Sequence, residues 1–147
     1  MVFSGEECPS LVERVLAAAD KARVDPAKFK ASFTFDPIIW FLSLNGGFPK
    51  DEDGGDFFGL IANIIKSTER YPKVRIVTVA GEMFQNSGST IVQELAFSLA
   101  VGHEYIVKLM DAGLSIDMIA KSMRFSMAVS SNYFMEIAKF RAGRMLW

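Results

Sequence analysis

One histidine, His103, and one cysteine, Cys8, are all the imidazole and thiol that these 147 residues contain. A tetrahedral metal centre built from nitrogen and sulfur ligands is therefore not expected, and an internal disulfide is impossible. Clustered positive charge is also lacking. Sixteen Lys and Arg stand against seventeen Asp and Glu, spread along the chain, so there is no electrostatic footprint for nucleic acid. No apolar run approaches the roughly 18 residues that a membrane span needs, and no basic segment followed by an apolar one opens the chain. The expectation is a soluble, cytoplasmic protein with no nucleic acid or membrane partner. A phosphate loop is absent too, because Gly46-Gly47-Phe48-Pro49-Lys50 has neither the required spacing nor a following Ser or Thr. The acidic run Asp51-Glu52-Asp53 reads as a solvated loop rather than a cation site.

Apolar residues are plentiful, at half the chain, and their spacing is informative. Leu11, Val12, Val15, Leu16 and Ala19 predict an amphipathic helix over Pro9 to Ala22. Ala31 to Phe35 reads as a strand, Asp36-Pro37 caps a helix to Leu44, and Asn45-Gly46-Gly47 stops it. Phe48 to Gly55 is expected to form a mobile surface loop. Phe57 to Ile65 carries a helical stripe. Val74 to Ala80, apolar on both faces, belongs inside a parallel sheet. Thr90 and Gln93 form a capping box for a helix on which Val92, Leu95, Ala96, Leu99, Ala100, Ile106 and Met110 follow the helical period, and Gly113 ends it. Ser115 caps a short helix to about Lys121. Met123 to Val129 reads as a third strand, and Asn132 to Leu146 as a last helix with Phe134, Ile137, Ala138 and Met145 on its apolar face.

Strands alternating with helices predict an α/β fold with parallel strands, in about three strand-helix units. A closed barrel takes eight units and about 250 residues, so a single domain over 1–147 would be a partial (β/α)8 barrel. Such an arc exposes sheet edges beside Ala31 to Phe35 and Met123 to Val129. It also opens the barrel-facing sides of Phe33, Val77, Val79 and Phe125, or of their neighbours one residue along. Self-association of the chain is therefore expected.

Functional groups in such a fold lie at the C-terminal ends of strands, here Thr34 to Asp36, Gly81 to Ser89 and Ser126 to Asn132. Thr34, Gln85 and Ser126 are the pocket candidates. Asp36, Thr90 and Asn132 are adequately explained as helix caps. Acid-base or nucleophilic chemistry needs a titratable group beside a partner, and no catalytic or metal-binding residue is assigned. His103 falls in mid-helix, suited to a surface or interface, and Cys8 reads as an inert small residue. Phe35, Trp40, Phe57 and Phe58 are expected to build the core rather than a ligand box.

The stretches Gln85-Asn-Ser-Gly-Ser-Thr90-Ile-Val-Gln-Glu-Leu95 and Asn132-Tyr-Phe-Met-Glu-Ile-Ala-Lys-Phe-Arg-Ala-Gly-Arg-Met-Leu-Trp147 resemble the adenosylcobalamin-dependent methylmalonyl-CoA mutase family. The last helix is similar to the family's "NFF.E.AK.RA.R.LW" segment at most positions, and Ala112-Gly-Leu-Ser115 matches as well. The likeness runs more weakly back to about Ser4. It implies the middle of the family's TIM barrel, with the cobalamin-binding domain lying outside these residues.

Where catalytic subunits of the family carry a Tyr-His pair, this chain has Glu82-Met83. In the family that histidine donates a hydrogen bond to the substrate's thioester carbonyl and the tyrosine shields the radical pair; methionine has no such donor. The family's catalytic chains have a glutamine about where Thr34 stands, and an arginine and a serine about where Ser122 and Arg124 stand. The resemblance therefore implies the non-catalytic small subunit of a heterodimeric mutase. On that reading a homologous large subunit is the partner and isomerises succinyl-CoA and methylmalonyl-CoA. Adenosylcobalamin would be bound there, and no cofactor by these residues. Two alternatives stand beside it: a catalytic mutase fragment with an atypical active site, and a degenerate barrel that binds an acyl-CoA.

Overall fold

The computed structural model describes residues 2–4, 8–39, 42 and 56–147. Four parallel strands form one sheet in the order β1 (Val2–Ser4), β2 (Ala31–Phe35), β3 (Val74–Ala80), β4 (Met123–Ser126). Between and after them run α1 (Cys8–Lys21), α2 (Phe57–Ser67), α3 (Glu82–Asn86), α4 (Ile91–Asp111), α5 (Ile116–Ser122) and α6 (Tyr133–Leu146). Strand order follows chain order without a reversal. That is the topology of an arc of a (β/α)8 barrel and not of a doubly wound sheet, whose order reverses at a switch point.

The helix ends are built from local chemistry. Asp56 accepts from Gly59 N at 2.7 Å to start α2, and Thr90 and Gln93 close a reciprocal capping box on α4. At the other end of α4, Gly113 adopts a φ of +85°, Gly113 N donates to Met110 O, and Leu114 N donates to Leu109 O. This is a Schellman closure, sealed by the buried pair Leu109 and Leu114.

The sheet differs from expectation in three respects. A further strand, β1, covers β2, so among the described residues the sheet's outer strands are β1 and β4; three residues are too few to carry a periodic signal. Strand β4 stops at Ser126, three residues before the expected end. The phase of the strands is also that of the neighbouring row, the alternative to the one named first. Phe33, Val77 and Val79 have no exposed surface, and a Cβ on Gly102 of α4 would meet the ring of Phe125, so this row faces the helices. Their neighbours Thr34, Thr78, Arg124 and Ser126 take the concave face.

The last helix also turns the unexpected way. Its buried residues are Glu136, Lys139 and Gly143, while Phe134 is 81% and Met145 87% exposed. On α4, Leu95, Ser98, Val101, Gly102, Tyr105 and Leu109 are buried together with Glu94, whereas Val92 and Met110 are exposed. Where the two helices meet, Glu94, Glu136 and Lys139 form a buried ion cluster. Residues 37–39 are helical as expected, while Trp40, the remainder of that helix apart from residue 42, Asn45 to Gly47 and the loop Phe48 to Gly55 lie outside the described residues.

Candidate functional site

The strand ends converge on three polar groupings. On the concave face Arg124 reaches across two strands, its Nε donating to Thr78 Oγ1 at 2.7 Å and its NH2 to Thr34 Oγ1 at 3.0 Å. Thr78 Oγ1 in turn donates to Phe33 O at 2.8 Å, so the hydroxyl nearest the guanidinium is itself fixed. A planar guanidinium tethered by two hydroxyls is a positioned cation with donors left over, suited to an anion or a carbonyl and not to proton transfer.

Just beyond the strands, Asp36 ties three elements together. Its Oδ2 accepts from Ala80 N at 2.8 Å, and its Oδ1 accepts from Tyr105 OH at 2.7 Å and from Ile39 N at 3.1 Å. Burial pushes its carboxyl above the ordinary value against the pull of these donors, and the charge of Glu82 adds to the rise. Tyr105 is fully buried; burial and the adjacent carboxylate hold its phenol well above the usual range. This aspartate is the cap foreseen from Asp36-Pro37, doubled as a clamp between β2, β3 and α4.

The turn after β3 forms the short helix α3, pinned by Phe84 against Phe97 with ring centroids 5.3 Å apart. Gly81 begins it in a tight gap, where a Cβ would meet Ser98 Oγ and the Ser126 carbonyl. Within this turn, Glu82 Oε2 and Gln85 Oε1 are buried without a hydrogen-bond partner, and Met83 is 40% exposed.

The third grouping holds the loop after β4. Lys139 Nζ lies 2.6 Å from Glu94 Oε2 and 2.6 Å from Glu136 Oε2, and donates to Ala128 O at 2.7 Å. Glu94 Oε1 accepts from Ala128 N, and Glu136 Oε1 accepts from Ser130 N and Oγ. Each charge of the cluster is thereby paired, as a buried charge requires, although Glu136 Oε2 is held by the ion contact with Lys139 alone and by no hydrogen bond. Lys139 and Ser130 draw the Glu136 carboxyl down to about 2. Burial alone would lower the ammonium of Lys139, but the two carboxylates more than reverse it and leave it raised.

The three pocket candidates do not form one constellation. Thr34 binds Arg124, Gln85 sits in the α3 turn, and Ser126 ends β4 with its carbonyl against Gly81. Asn132 starts α6 without a side-chain capping bond, unlike Thr90 and Asp36. Ser122 is buried at the opposite end of β4, donating to Ile119 O. A shallow hollow of about 160 Å³, lined in part by Ile65, Tyr71, Met118 and Lys121, also opens at that N-terminal end of the strands, away from these groupings. Thr78, Tyr105, Glu94, Glu136 and Lys139 escaped the sequence reading. The Glu-x-x-Lys spacing of Glu136 and Lys139 was the one available signal, since it sets both on one helix face.

The chain's one imidazole, His103, is exposed on α4 about three turns past its start, and the described residues hold no group of three His, Cys, Asp or Glu able to share a metal. No helix among them is long and apolar enough to cross a membrane.

Comparison with known proteins places this geometry. Residues 3–147 match the family described as Methylmalonyl-CoA mutase. A methylmalonyl-CoA mutase of Rhizobium meliloti (strain 1021) is 33% identical over 148 residues, covering 100% of this chain and 20% of that protein. A methylmalonyl-CoA mutase small subunit of Porphyromonas gingivalis is 34% identical over 137 residues, covering 93% of this chain and 21% of its own length. A large subunit from Streptomyces virginiae is 32% identical over 150 residues, 100% of this chain and 20% of its length. The chain thus spans about a fifth of the length of these relatives, and large and small subunits resemble it equally.

Proposed function

Because the chain belongs to the methylmalonyl-CoA mutase family, we propose that it is part of a non-catalytic, small-subunit-type barrel. Its role would be to support a homologous catalytic large subunit. The observation that carries this reading is the turn after β3. Its Glu82-Met83 occupies the place of the family's Tyr-His pair, and it contains a thioether and an unpaired carboxylate oxygen where a neutral donor would be needed. Met83 cannot hydrogen-bond a thioester carbonyl. A carboxylate at Glu82 would repel the electron-rich oxygen of the same group.

The concave face supports the same conclusion. Arg124 spends two of its donors on Thr34 and Thr78, so the strand positions that would face a substrate are bound to one another. What the fold retains is architecture: the Thr90-Gln93 cap, the Asp36 clamp and the Glu94-Lys139-Glu136 cluster. In this proposal succinyl-CoA/methylmalonyl-CoA isomerisation and adenosylcobalamin belong to the partner subunit.

The catalytic alternative draws on the equal likeness to large subunits. Isomerisation of methylmalonyl-CoA by the intact protein, with adenosylcobalamin, in the absence and presence of a catalytic large subunit, separates the two. The expected result is no turnover alone and unchanged or higher turnover of the partner in its presence. Turnover by the intact protein alone overturns the proposal. An acyl-CoA-binding role without catalysis rests on the spare donors of Arg124, and a thermal shift with CoA esters but no turnover would favour it.

A further inference from the structure

The loop that follows β4 leaves the sheet at the C-terminal end of the strands, the end at which β/α units meet their ligands, and connecting loops there are ordinarily the mobile part of such a fold. This one is tied down at its backbone. Ala128 is held through both its polar groups, its N donating to Glu94 Oε1 at 2.7 Å and its O accepting from Lys139 Nζ at 2.7 Å. Two residues on, Ser130 N and Ser130 Oγ donate to Glu136 Oε1 at 3.0 and 2.6 Å. Between the two anchors Val129 turns its side chain outward, 72% exposed.

An ion cluster that only joined α4 to α6 would need opposite charges facing each other, with no preference for which helix carries which. The loop removes that freedom. Its N–H groups call for carboxylates and its carbonyl for an ammonium, and each charge stands at the atom of matching polarity. Hydrogen bonds to ionised partners are about twice as strong as neutral ones, and Glu94, Glu136 and Lys139 are buried, where water competes least. We propose that Glu94, Glu136 and Lys139 are positioning residues for the loop after β4, holding residues 127–131 as a fixed rim of the barrel mouth rather than as a lid that opens and closes over it. Every group in this device lies on α4, on α6 or in the loop itself. It goes beyond the supporting role proposed above and is independent of whether the mouth catalyses.

Hydrogen exchange of the intact protein, read by mass spectrometry on peptides spanning 127–132, tests the rim. In the parent these amides should exchange roughly a hundredfold more slowly than in an unstructured chain, since opening the loop breaks several bonds to charged groups. Exchange at the unstructured rate overturns the proposal without any variant. Glu136→Met removes the anchor of Ser130 and leaves Glu94 and Lys139 as a balanced pair. Exchange of the loop should then rise about tenfold while the amides of α4 keep their parent rates. A rise shared equally by α4 and α6 would mean that the cluster serves only to join the helices, and no rise would mean that the loop is held by something else; either refutes the rim. Ser130→Ala removes one anchoring donor and leaves all three charges in place, so it carries the test if Glu136→Met does not fold. The same local rise is expected with an unchanged melting temperature, and parent-like exchange refutes the proposal.

Discussion

Replacing Lys139 by methionine removes the one cation from a site that holds two carboxylates. Glu94 has no exposed surface, Glu136 4% and Lys139 3%, so the charges left behind cannot be rehydrated without moving α6. Breaking a buried ion pair from one side costs about 3–5 kcal/mol, and here Ala128 O also loses its donor. Domains of this size have roughly 5–15 kcal/mol in total, so the variant should be visibly less stable. Its midpoint should fall by roughly 10 °C, given about 2–4 °C for each kcal/mol in a chain of this length. Chemical denaturation followed by circular dichroism measures the loss. Glu94→Gln should be costly in the parent and nearly free in the Lys139→Met background, because the second change relieves a repulsion that the first created. The pH dependence has a definite sign. Glu136 titrates lower in the folded chain than its ordinary 4.5, so its contribution is present above that value and is lost as pH falls toward about 2. Lys139 titrates higher than its ordinary 10.5, so its contribution is complete below that pH and is lost as pH rises through the folded value. A loss below about 1 kcal/mol, strict additivity of the two substitutions, or an unchanged acid limb in Lys139→Met would each refute this account of the cluster.

Restoring Glu82→Tyr and Met83→His in the intact protein should not create turnover of methylmalonyl-CoA without a catalytic partner, because Thr34, Ser122 and Arg124 still depart from the catalytic pattern; activity in a coupled assay would contradict this. Tyr105→Phe removes one of the two donors to Asp36 Oδ1 and the acceptor of Ile38 N, and should cost about 1–2 kcal/mol in urea denaturation. Gly102→Ala would bring a methyl to 2.7 Å from Phe125 Cζ and 3.0 Å from Trp147 Cζ3, so a loss of about 1–3 kcal/mol is expected on thermal melting. A wild-type melt for that variant would mean that the end of α6 gives way freely.

Signals confined to a few neighbouring residues were legible in the sequence. The Thr90-Gln93 box, the Gly113 closure, the Asp36 cap and the buried strand Val74–Ala80 all depend on groups within about six residues of each other. Alternation of strands and helices likewise carried the parallel α/β architecture, since a parallel strand needs a crossover. Which face of each element would be buried was decided elsewhere. The apolar residues of α6 predicted an inward face at Phe134 and Met145, yet the face buried within these residues carries Lys139, bound to Glu94 45 residues away. Strand phase behaves the same way. Val77 and Thr78 are equally buried, and only the approach of Gly102 to Phe125 and of Arg124 to Thr78 shows which of the two rows faces the helices. Helix caps and turns are set by bonds that the chain makes to itself at short range. The direction of a side chain is set by whichever distant surface arrives to cover it, and that surface exists only once the fold has formed.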